Sequence, residues 1–318
     1  MEFMGKLHHG SQDGHARAAG LLLCCVMSFV EYSAGRINPQ MPSSRHRLVF
    51  LHVPKSGGTT FVTDISSGAY NITFEQHQEE HGERCNRFFH AKDKLKFTLW
   101  REPRSHVLSL YFHCATSNEA QKDYRRPRFD RMREAARKSP FPTPSIQTTA
   151  NATDLVGRKY DGLDKWLDWY TTSSEQATPR QSLLPKEASF FCYTPVNLQT
   201  FTLLCRTNMH WQRQAEVKDL WVTHRSRSIE QARHALHTFD LVGLHEYYHQ
   251  SVCLLYDLIY LKQAKYCDCR DELAWGSFQP SHLSHGVMEH SLAEVKQSIL
   301  DKLDVITEVD HILYKEIR

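Results

Sequence analysis

Short apolar runs followed by helical patterns dominate the first third of this chain. Arg47–Val53 and Leu95–Trp100 are compact stretches with β-branched and aromatic residues, the pattern of buried strands. A helix is predicted to start near Thr59 after the first run, and another at Pro103, since proline suits the first turn of a helix. The apolar face of the second helix is Val107, Leu108, Tyr111 and Phe112. This alternation predicts a single α/β domain with a central, mainly parallel sheet flanked by helices.

Three further apolar patterns follow. Phe239–Tyr248 predicts a strand and the start of a helix that continues with Val252, Leu254, Leu255, Leu258 and Ile259. Trp166–Tyr170 has the helical spacing of a core segment, with a sugar-stacking surface as the alternative. The last pattern is an amphipathic stripe of Leu292, Val295, Ile299, Leu303, Ile306, Val309, Leu313 and Ile317. We predict that this stripe packs on the body of the domain, with a coiled-coil dimer arm as the alternative.

The N-terminal segment predicts entry into the secretory pathway. Ala18–Val30 is an uncharged apolar run ended by Glu31, and it is shorter than the roughly 17 residues that span a bilayer. It suits a signal peptide, with small residues at 33–35 near a cleavage point. A short membrane-anchoring segment that is not cleaved and a buried core helix are the alternatives. The predicted boundaries are a tail with signal peptide or signal anchor at 1–35, a linker at 36–46, and the folded domain at 47–318.

Composition favours a folded protein without a nucleic-acid partner. With 318 residues, 41% of them hydrophobic, the chain can bury one large core, and a net charge of +3 gives no electrostatic basis for binding nucleic acid. Sequons at Asn71 and Asn151 permit luminal glycosylation. Among the nine cysteines, Cys267 and Cys269 lack C-x-x-C spacing, so we expect buried thiols or about two or three disulfides and no metal site.

The residues between the first strand and its helix have the composition of a phosphate cradle. Gly57 and Gly58 allow a tight turn, the helix N-terminus supplies backbone N–H groups, and Lys55 adds a full charge. The predicted cradle is Lys55, Ser56, Gly57, Gly58, Thr59 and Thr60. In the nucleotide triphosphatase P-loop the lysine follows the second glycine, whereas here it precedes the glycine pair. This difference argues against a magnesium-dependent triphosphate site.

A second candidate anion contact follows the second strand. Arg101 ends that strand, and Ser109 lies two helical turns into the next element. A guanidinium fork and a hydroxyl donor together suit a terminal phosphate. Taken with the first loop, this pair resembles the motifs of sulfotransferases that use 3′-phosphoadenosine 5′-phosphosulfate (PAPS). It is most similar to Golgi carbohydrate enzymes such as heparan sulfate 2-O- and 6-O-sulfotransferases. Asn197–Thr200 and the stretch from Phe239 that contains Glu246 are similar to softer motifs of that family.

The resemblance implies a P-loop-type sulfotransferase fold for residues 47–318. It implies that the 5′-phosphosulfate binds over residues 55–60, that the 3′-phosphate binds Arg101 and Ser109, and that no metal takes part. In similar enzymes a histidine or glutamate between the two motifs is the base. The histidine candidates are His77, His81 and His90, and we prefer His90, which is nearest the second strand. The glutamates in the same interval are Glu75, Glu79, Glu80 and Glu83. Lys55 would stabilise charge on the bridging oxygen as PAPS transfers its sulfuryl group to a carbohydrate hydroxyl in the Golgi lumen.

Several alternatives stay open from the sequence. A kinase-like phosphoryl-transfer enzyme would use the same cradle with magnesium, and a luminal binding protein would keep the fold without catalysis. The basic stretch Lys122–Lys138 is either a grip for an anionic glycan or a solvated insertion. His52, on the first predicted strand, is interpreted either as a structural residue or as support for the cradle, and Glu246 as a further functional candidate. The acceptor and the oligomeric state are left open.

Overall fold

A computed structural model describes residues 47–66, 73–77, 89, 94–116, 160–176, 195–205, 228–260, 262–281 and 290–318. The chain forms two compact units. The larger is Arg47–Glu246 with Ser281–Arg318, and the described part of the smaller is Tyr247–Pro280. Several predictions fall outside the described residues: the apolar run at 18–30, the sequons, His81, His90 and the basic stretch at 122–138. The domain boundaries therefore stay a prediction.

Four parallel strands form the sheet of the larger unit. They are β1 (Arg47–Leu51), β2 (Thr73–His77), β3 (Leu95–Trp100) and β4 (Leu241–Leu244). Their spatial order is β2-β1-β3-β4, with Leu51 opposite His77 on one side and Thr98 on the other. The predicted α/β architecture with a parallel sheet is therefore confirmed at this level. β1 ends earlier than the predicted run, because the carbonyl of Val53 already accepts the N–H of Ser56 in a turn at 3.2 Å.

Helices follow the strands and complete both units. They are α1 (Gly58–Ser66), α2 (Pro103–Thr116), α3 (Asp161–Gln176), α4 (Leu198–Leu203), α5 (228–236), α6 (Tyr248–Tyr260), α7 (Glu272–Gly276), α8 (Gln297–Ile306) and α9 (Glu308–Ile317). Short 3-10 turns lie at His245–Tyr247, Lys265–Cys267 and Leu292–Glu294. Within these ranges no helix combines the length and the apolar character needed to cross a bilayer.

The first strand–helix unit forms because its apolar residues meet under the sheet. Phe50 on β1, Phe61 on α1 and Phe97 on β3 are fully buried, with ring centroids 4.5 to 5.6 Å apart. Aromatic contacts of this kind add to the free energy gained from burial. This packing fixes the direction in which α1 leaves the loop after β1.

The start of α2 has a side-chain cap in addition to Pro103. The carboxylate of Glu102 accepts the N–H groups of Arg104 at 3.2 Å and of Ser105 at 2.7 Å, two donors that have no partner within the helix. The predicted apolar face of α2 is confirmed, since its four members are all buried. The helix start is thus fixed immediately after Arg101.

Aromatic residues of α2 and α3 form a second core region. Trp166 and Leu167 are almost fully buried, and the ring of Trp166 lies 5.4 Å from that of Tyr111. The core interpretation of the tryptophan-containing segment is therefore confirmed over the sugar-stacking alternative for Trp166, Leu167 and Tyr170.

The C-terminal stripe packs onto the same region. Its buried members in contact with this core or next to it are Val295, Ile299, Leu303, Ile306, Val309 and Leu313. The stripe is divided into α8 and α9 at Thr307, whose N–H and hydroxyl both donate to the carbonyl of Leu303, at 3.0 and 2.7 Å. Packing on the domain is confirmed, and these apolar side chains are not presented as a dimer arm.

The smaller unit is held by a disulfide and a stack of rings. Cys253 on α6 is bonded to Cys267, with Cα atoms 5.5 Å apart, and Cys269 is buried. The ring of His249 lies 3.7 Å from that of Trp275 and 4.0 Å from that of Phe278. His249 also lies near both bonded sulfurs, but sulfurs joined to each other are not thiolate ligands for a metal.

Candidate phosphate-binding site

The two predicted phosphate motifs lie on neighbouring strands. β1 leads into residues 52–57 and β3 leads into Arg101, and the two strands pair directly. The chain passes from β1 to β2 on one side and later reaches β3 on the other side. In open parallel sheets such a reversal leaves a crevice at the carboxyl ends of the strands, where ligands bind. The fold therefore brings both motifs to the position that ligands occupy in sheets of this kind.

The loop after β1 has an unusual backbone that its sequence explains in part. Gly57 has φ of 84°, in the left-handed region that glycine enters without a steric penalty. Lys55 has φ of 64°, which an L-residue adopts at a penalty of about 1 kcal/mol. The N–H of Phe61 donates to the carbonyl of Gly57 at 3.0 Å, so the loop runs directly into α1. Strain at a charged residue in such a loop is typical of functional sites.

Two histidine rings lie against the glycines of this loop. A Cβ atom on Gly57 would lie 2.7 Å from Cδ2 of His245, and one on Gly58 would overlap the ring of His52. No side chain therefore fits at either glycine without movement of a ring. The support role predicted for His52 agrees with this contact, and His52 also stacks on Phe50 with centroids 5.9 Å apart.

His245 lies at the carboxyl end of β4, on the same edge of the sheet as the loop. Burial and the neighbouring charge of Arg101 lower the pKa of His245 to about 4. It is therefore a neutral imidazole at physiological pH. No sequence pattern selects His245 among the twenty histidines, because Gly57 and Arg101 are far from it in the chain.

Arg101 is tied to the loop and to α4. Its Nη1 donates to the carbonyl of Lys55 at 3.2 Å, and its own backbone N–H and carbonyl are both hydrogen-bonded to the side chain of Gln199 at 2.9 Å. Burial lowers the pKa of Arg101, while the carboxylates of Glu246 and Glu102 act in the opposite direction. The guanidinium stays cationic in either case. Its Nε is buried and has no hydrogen-bond partner among the described residues.

His106 connects α2 to the same loop. Its ring is fully buried and Nε2 lies 2.6 Å from the carbonyl oxygen of Pro54. Burial, together with the charges of Arg101 and Lys55 and with His245, lowers the pKa of His106 to about 3, although its bond to Pro54 acts the other way. A carbonyl only accepts, so the neutral ring carries its proton on Nε2 and donates it to Pro54. The sequence singled out neither this residue nor its role.

Gln199 joins the two motifs in addition to the bond from Arg101 to the carbonyl of Lys55. Its Oε1 accepts the hydroxyl of Ser56 at 3.3 Å as well as the N–H of Arg101. Ser56 and Gln199 are both fully buried. Gln199 belongs to the segment Asn197–Thr200, which the sequence marked by resemblance alone and without a role. The structure supplies that role as a bridge between the loop and the end of β3.

The carboxylate of Glu246 accepts two hydrogen bonds close to Arg101, one from a backbone N–H and one from a side-chain hydroxyl. One of its carboxylate oxygens accepts the N–H of Glu102 at 2.7 Å and the other accepts the hydroxyl of Tyr314 at 3.2 Å. Burial and the charge and hydrogen bond of Glu246 raise the pKa of Tyr314. Glu246 therefore holds β4, α2 and α9 together close to the candidate site.

For the remaining predicted site residues the structure gives fewer contacts or none. Ser109 is buried on α2. His77 ends β2 and pairs with Leu51, so its backbone lies at the same sheet edge as the loop. His81 and His90 lie outside the described residues. The structure therefore brings together the cradle and Arg101, and it places one of the three candidate bases at the same edge.

Comparison of the chain with protein-family models, with curated proteins and with solved structures finds no match.

Proposed function

We propose that this protein is a PAPS-dependent sulfotransferase with a P-loop-type sulfotransferase fold, acting on a hydroxyl of a carbohydrate. The observation that carries the proposal is the pairing of β1 with β3, which sets the glycine loop beside Arg101 at the reversal of strand order. A nucleotide with phosphates at both its 5′ and its 3′ position requires two separate anion contacts. The loop supplies one at residues 55–60, and Arg101 with Ser109 supplies the other.

The transfer needs no covalent enzyme intermediate. The acceptor oxygen forms a bond to sulfur while the bond from sulfur to the 5′-phosphate oxygen breaks, and the electron pair of that bond stays on the departing phosphate. Lys55 and the backbone N–H groups that open α1 stabilise the charge that grows there. The hydroxyls of Thr59 and Thr60 donate to the same phosphate group.

A base must take the proton of the acceptor hydroxyl. His90 is the preferred candidate, and His81 and His77 are the others. Of the three, His77 has support from its position at the carboxyl end of β2, next to the strand that leads into the loop. The neutral His245 and His106 have different roles, since they contact the loop at Gly57 and Pro54.

The loop structure favours sulfuryl transfer over magnesium-dependent phosphoryl transfer. A P-loop enzyme uses a serine or threonine hydroxyl of its loop to hold magnesium. Here the hydroxyl of Ser56 is buried and donates to Gln199. The same geometry is compatible with a luminal binding protein of this fold that lacks catalysis, which the measurement of transfer below distinguishes.

Placement in the Golgi lumen, as a soluble protein or as a type II membrane protein anchored through residues 18–30, belongs to the same proposal. The disulfide between Cys253 and Cys267 supports it, because such bonds persist in oxidising compartments. The proposed partner is a glycan or glycoconjugate acceptor.

The test is calorimetric titration of the full chain with 3′-phosphoadenosine 5′-phosphate (PAP) in the presence of a metal chelator. We expect saturable binding, weakened about tenfold or more in Lys55→Ala and in Arg101→Ala, since a hydrogen bond to a charged group contributes about 1.5–3 kcal/mol. Lys315→Ala on α9 and Arg233→Ala on α5 are the matched controls; Lys315 is exposed, and Arg233 forms ion pairs with Glu230 and Glu316.

Each outcome has a defined meaning. Absence of PAP binding by the folded chain, together with binding of ATP and magnesium, would replace the proposal with the phosphoryl-transfer alternative. PAP binding without release of PAP from PAPS, across a panel of glycan acceptors, would leave a binding protein. Arg101→Lys serves as a second variant where removal of the buried guanidinium prevents folding.

A further inference from the structure

Every hydrogen bond shown for the side chain of Gln199 goes to a group of the candidate site. Its Oε1 accepts from Ser56 at 3.3 Å and from the N–H of Arg101 at 2.9 Å, and its Nε2 donates to the carbonyl of Arg101 at 2.9 Å. The side chain thus pairs with both backbone groups of Arg101, as a neighbouring strand would. Because Gln199 is fully buried, water cannot replace these partners when the amide is removed.

The contacts close into a ring. Arg101 donates from Nη1 to the carbonyl of Lys55, Ser56 follows Lys55 in the chain, and Ser56 donates to Gln199, which binds Arg101. Lys55 is held with a left-handed backbone inside this ring. The position of the loop relative to Arg101 is therefore defined by side-chain bonds as well as by the sheet.

The backbone of Gln199 is itself fixed at the start of α4. Its N–H donates to Oδ2 of Asp310 at 3.3 Å, and the N–H of Thr200 donates to Oδ1 of the same carboxylate at 2.8 Å. In return, Oδ1 of Asn197 accepts the N–H groups of Val309 and Asp310 at 2.9 and 3.2 Å. α4 and α9 thus cap each other. The backbone of Gln199 belongs to this junction, and its side chain contacts Ser56 and Arg101.

We propose that Gln199 is a positioning residue, which sets the separation of the 5′-phosphate loop from Arg101 so that one nucleotide engages both. This inference rests on the proposed function. Gln199 does not contact the nucleotide in this scheme; it acts through Ser56 and Arg101. Preset contacts of this kind increase affinity because less ordering is needed on binding.

The test compares Gln199→Met, which keeps the length of the side chain but makes no such hydrogen bonds, with Gln199→Glu. Gln297→Met, at an exposed position on α8, is the matched control. For Gln199→Met we expect PAP affinity to fall about tenfold or more at a pH and temperature where the variant is folded, as judged by denaturant unfolding. Ser56→Ala, which removes one of the three bonds, should weaken PAP binding less.

Gln199→Glu supplies a readout that a purely structural role would not move. An ionised carboxylate has no donor for the carbonyl of Arg101, whereas a protonated carboxyl restores one donor and one acceptor. Its PAP affinity relative to the parent should therefore rise as the pH is lowered, while that of Gln199→Met stays level. Arg101 and Asp310, the charged residues in contact with residue 199, are present in every protein compared.

The outcomes separate the two proposals. If the parent binds PAP and folded Gln199→Met binds it equally well, the positioning role is wrong and the proposed function stands. If Gln199→Met does not fold, a pH-independent affinity of Gln199→Glu relative to the parent overturns the role. If the parent itself fails to bind PAP, the proposed function is lost, and the positioning role with it.

Discussion

Asn197 and Asp310 cap each other's helices. Asn197 precedes α4 and accepts the N–H groups of Val309 and Asp310 at 2.9 and 3.2 Å, while Asp310 lies in the first turn of α9 and accepts the N–H of Thr200 at 2.8 Å. Both residues are almost fully buried. The two side chains therefore satisfy donors that each helix leaves without an internal partner. This exchange holds Gln199 in place, so the stability of the junction bears on the site.

Removal of the Asn197 side chain should destabilise the protein in two ways. The residue has φ of 44°, which asparagine tolerates and alanine does not, and its carboxamide is a cap. Asn197→Ala should lower the free energy of unfolding in urea by about 2–3 kcal/mol, from roughly 1 kcal/mol for the cap and 1–2 kcal/mol for the backbone. Asn197→Gly, which removes the cap alone, is the control and should lose less. Equal losses for the two variants would contradict the assigned backbone strain.

Asp310 should make stability depend on pH. Burial raises the pKa of Asp310 from 3.8 to about 6, although its hydrogen bonds to Thr200 and Gln199 act the other way. Between these values the unfolded chain releases a proton that the folded chain keeps, so this contribution to stability is full at low pH and is lost as the pH rises toward 6. Relative to Asp310→Asn, the parent should lose about 2 kcal/mol of unfolding free energy between about pH 4 and 6. A constant difference over that range would show that the pKa is not raised.

Local patterns in the sequence predicted the parts of the fold that depend on near neighbours. β1 and β3 follow from apolar runs, and the start of α2 follows from Pro103. The division of the C-terminal stripe at Thr307 was missed, because an unbroken apolar periodicity carries no sign of the non-helical backbone there, with φ of −113° and ψ of 17°. The strand order β2-β1-β3-β4 was not predicted either, because it depends on pairing between strands that are distant in the chain.

In the candidate site, too, residues that depend on local sequence were predictable and those that depend on distant contacts were not. The sequence singled out residues 55–60 and Arg101 as candidates because each follows a predicted strand directly. Gln199 is 98 residues from Arg101, and His106 is 52 residues from Pro54. No spacing rule connects residues so far apart, and the chemistry of glutamine or histidine alone does not distinguish them from the many others. The contacts of Gln199 and His106 with the loop after β1 were therefore visible only in the fold.

His106 should make the protein less stable in acid. Its pKa is lowered to about 3 by burial, whereas the ordinary value is 6.5. Below about pH 6.5 the unfolded chain takes up a proton that the folded chain refuses, so stability is full above that pH and falls as the pH is lowered. The expected slope is about 1.4 kcal/mol per pH unit, and His245, with a pKa near 4, adds a similar slope over part of the range.

The measurement is the free energy of unfolding of the parent and of His106→Gln between pH 7 and 5. Glutamine keeps an N–H donor for the carbonyl of Pro54 and does not titrate. The variant should therefore lose about 2 kcal/mol less than the parent between pH 7 and 5. His237→Gln, at an exposed position, is the control. Parallel curves for the parent and His106→Gln would rule out a neutral buried imidazole.

The two glycines of the loop exclude a side chain for different reasons, backbone conformation and steric overlap at Gly57 but steric overlap alone at Gly58. At Gly57 a methyl group meets both a left-handed backbone, with φ of 84°, and the ring of His245 at 2.7 Å. At Gly58 the obstacle is the ring of His52 alone, since no left-handed φ is found there.

We therefore expect Gly57→Ala to lose PAP binding whether or not His245 is also replaced by alanine. Gly58→Ala should lose it in the presence of His52 and regain it in the double variant with His52→Ala. Gly276→Ala, where no atom lies within 4 Å of the added methyl, is the matched control and should bind as the parent does. Full PAP affinity in Gly57→Ala would mean that the nucleotide does not depend on this loop conformation, because the added Cβ requires either the backbone or the His245 ring to move.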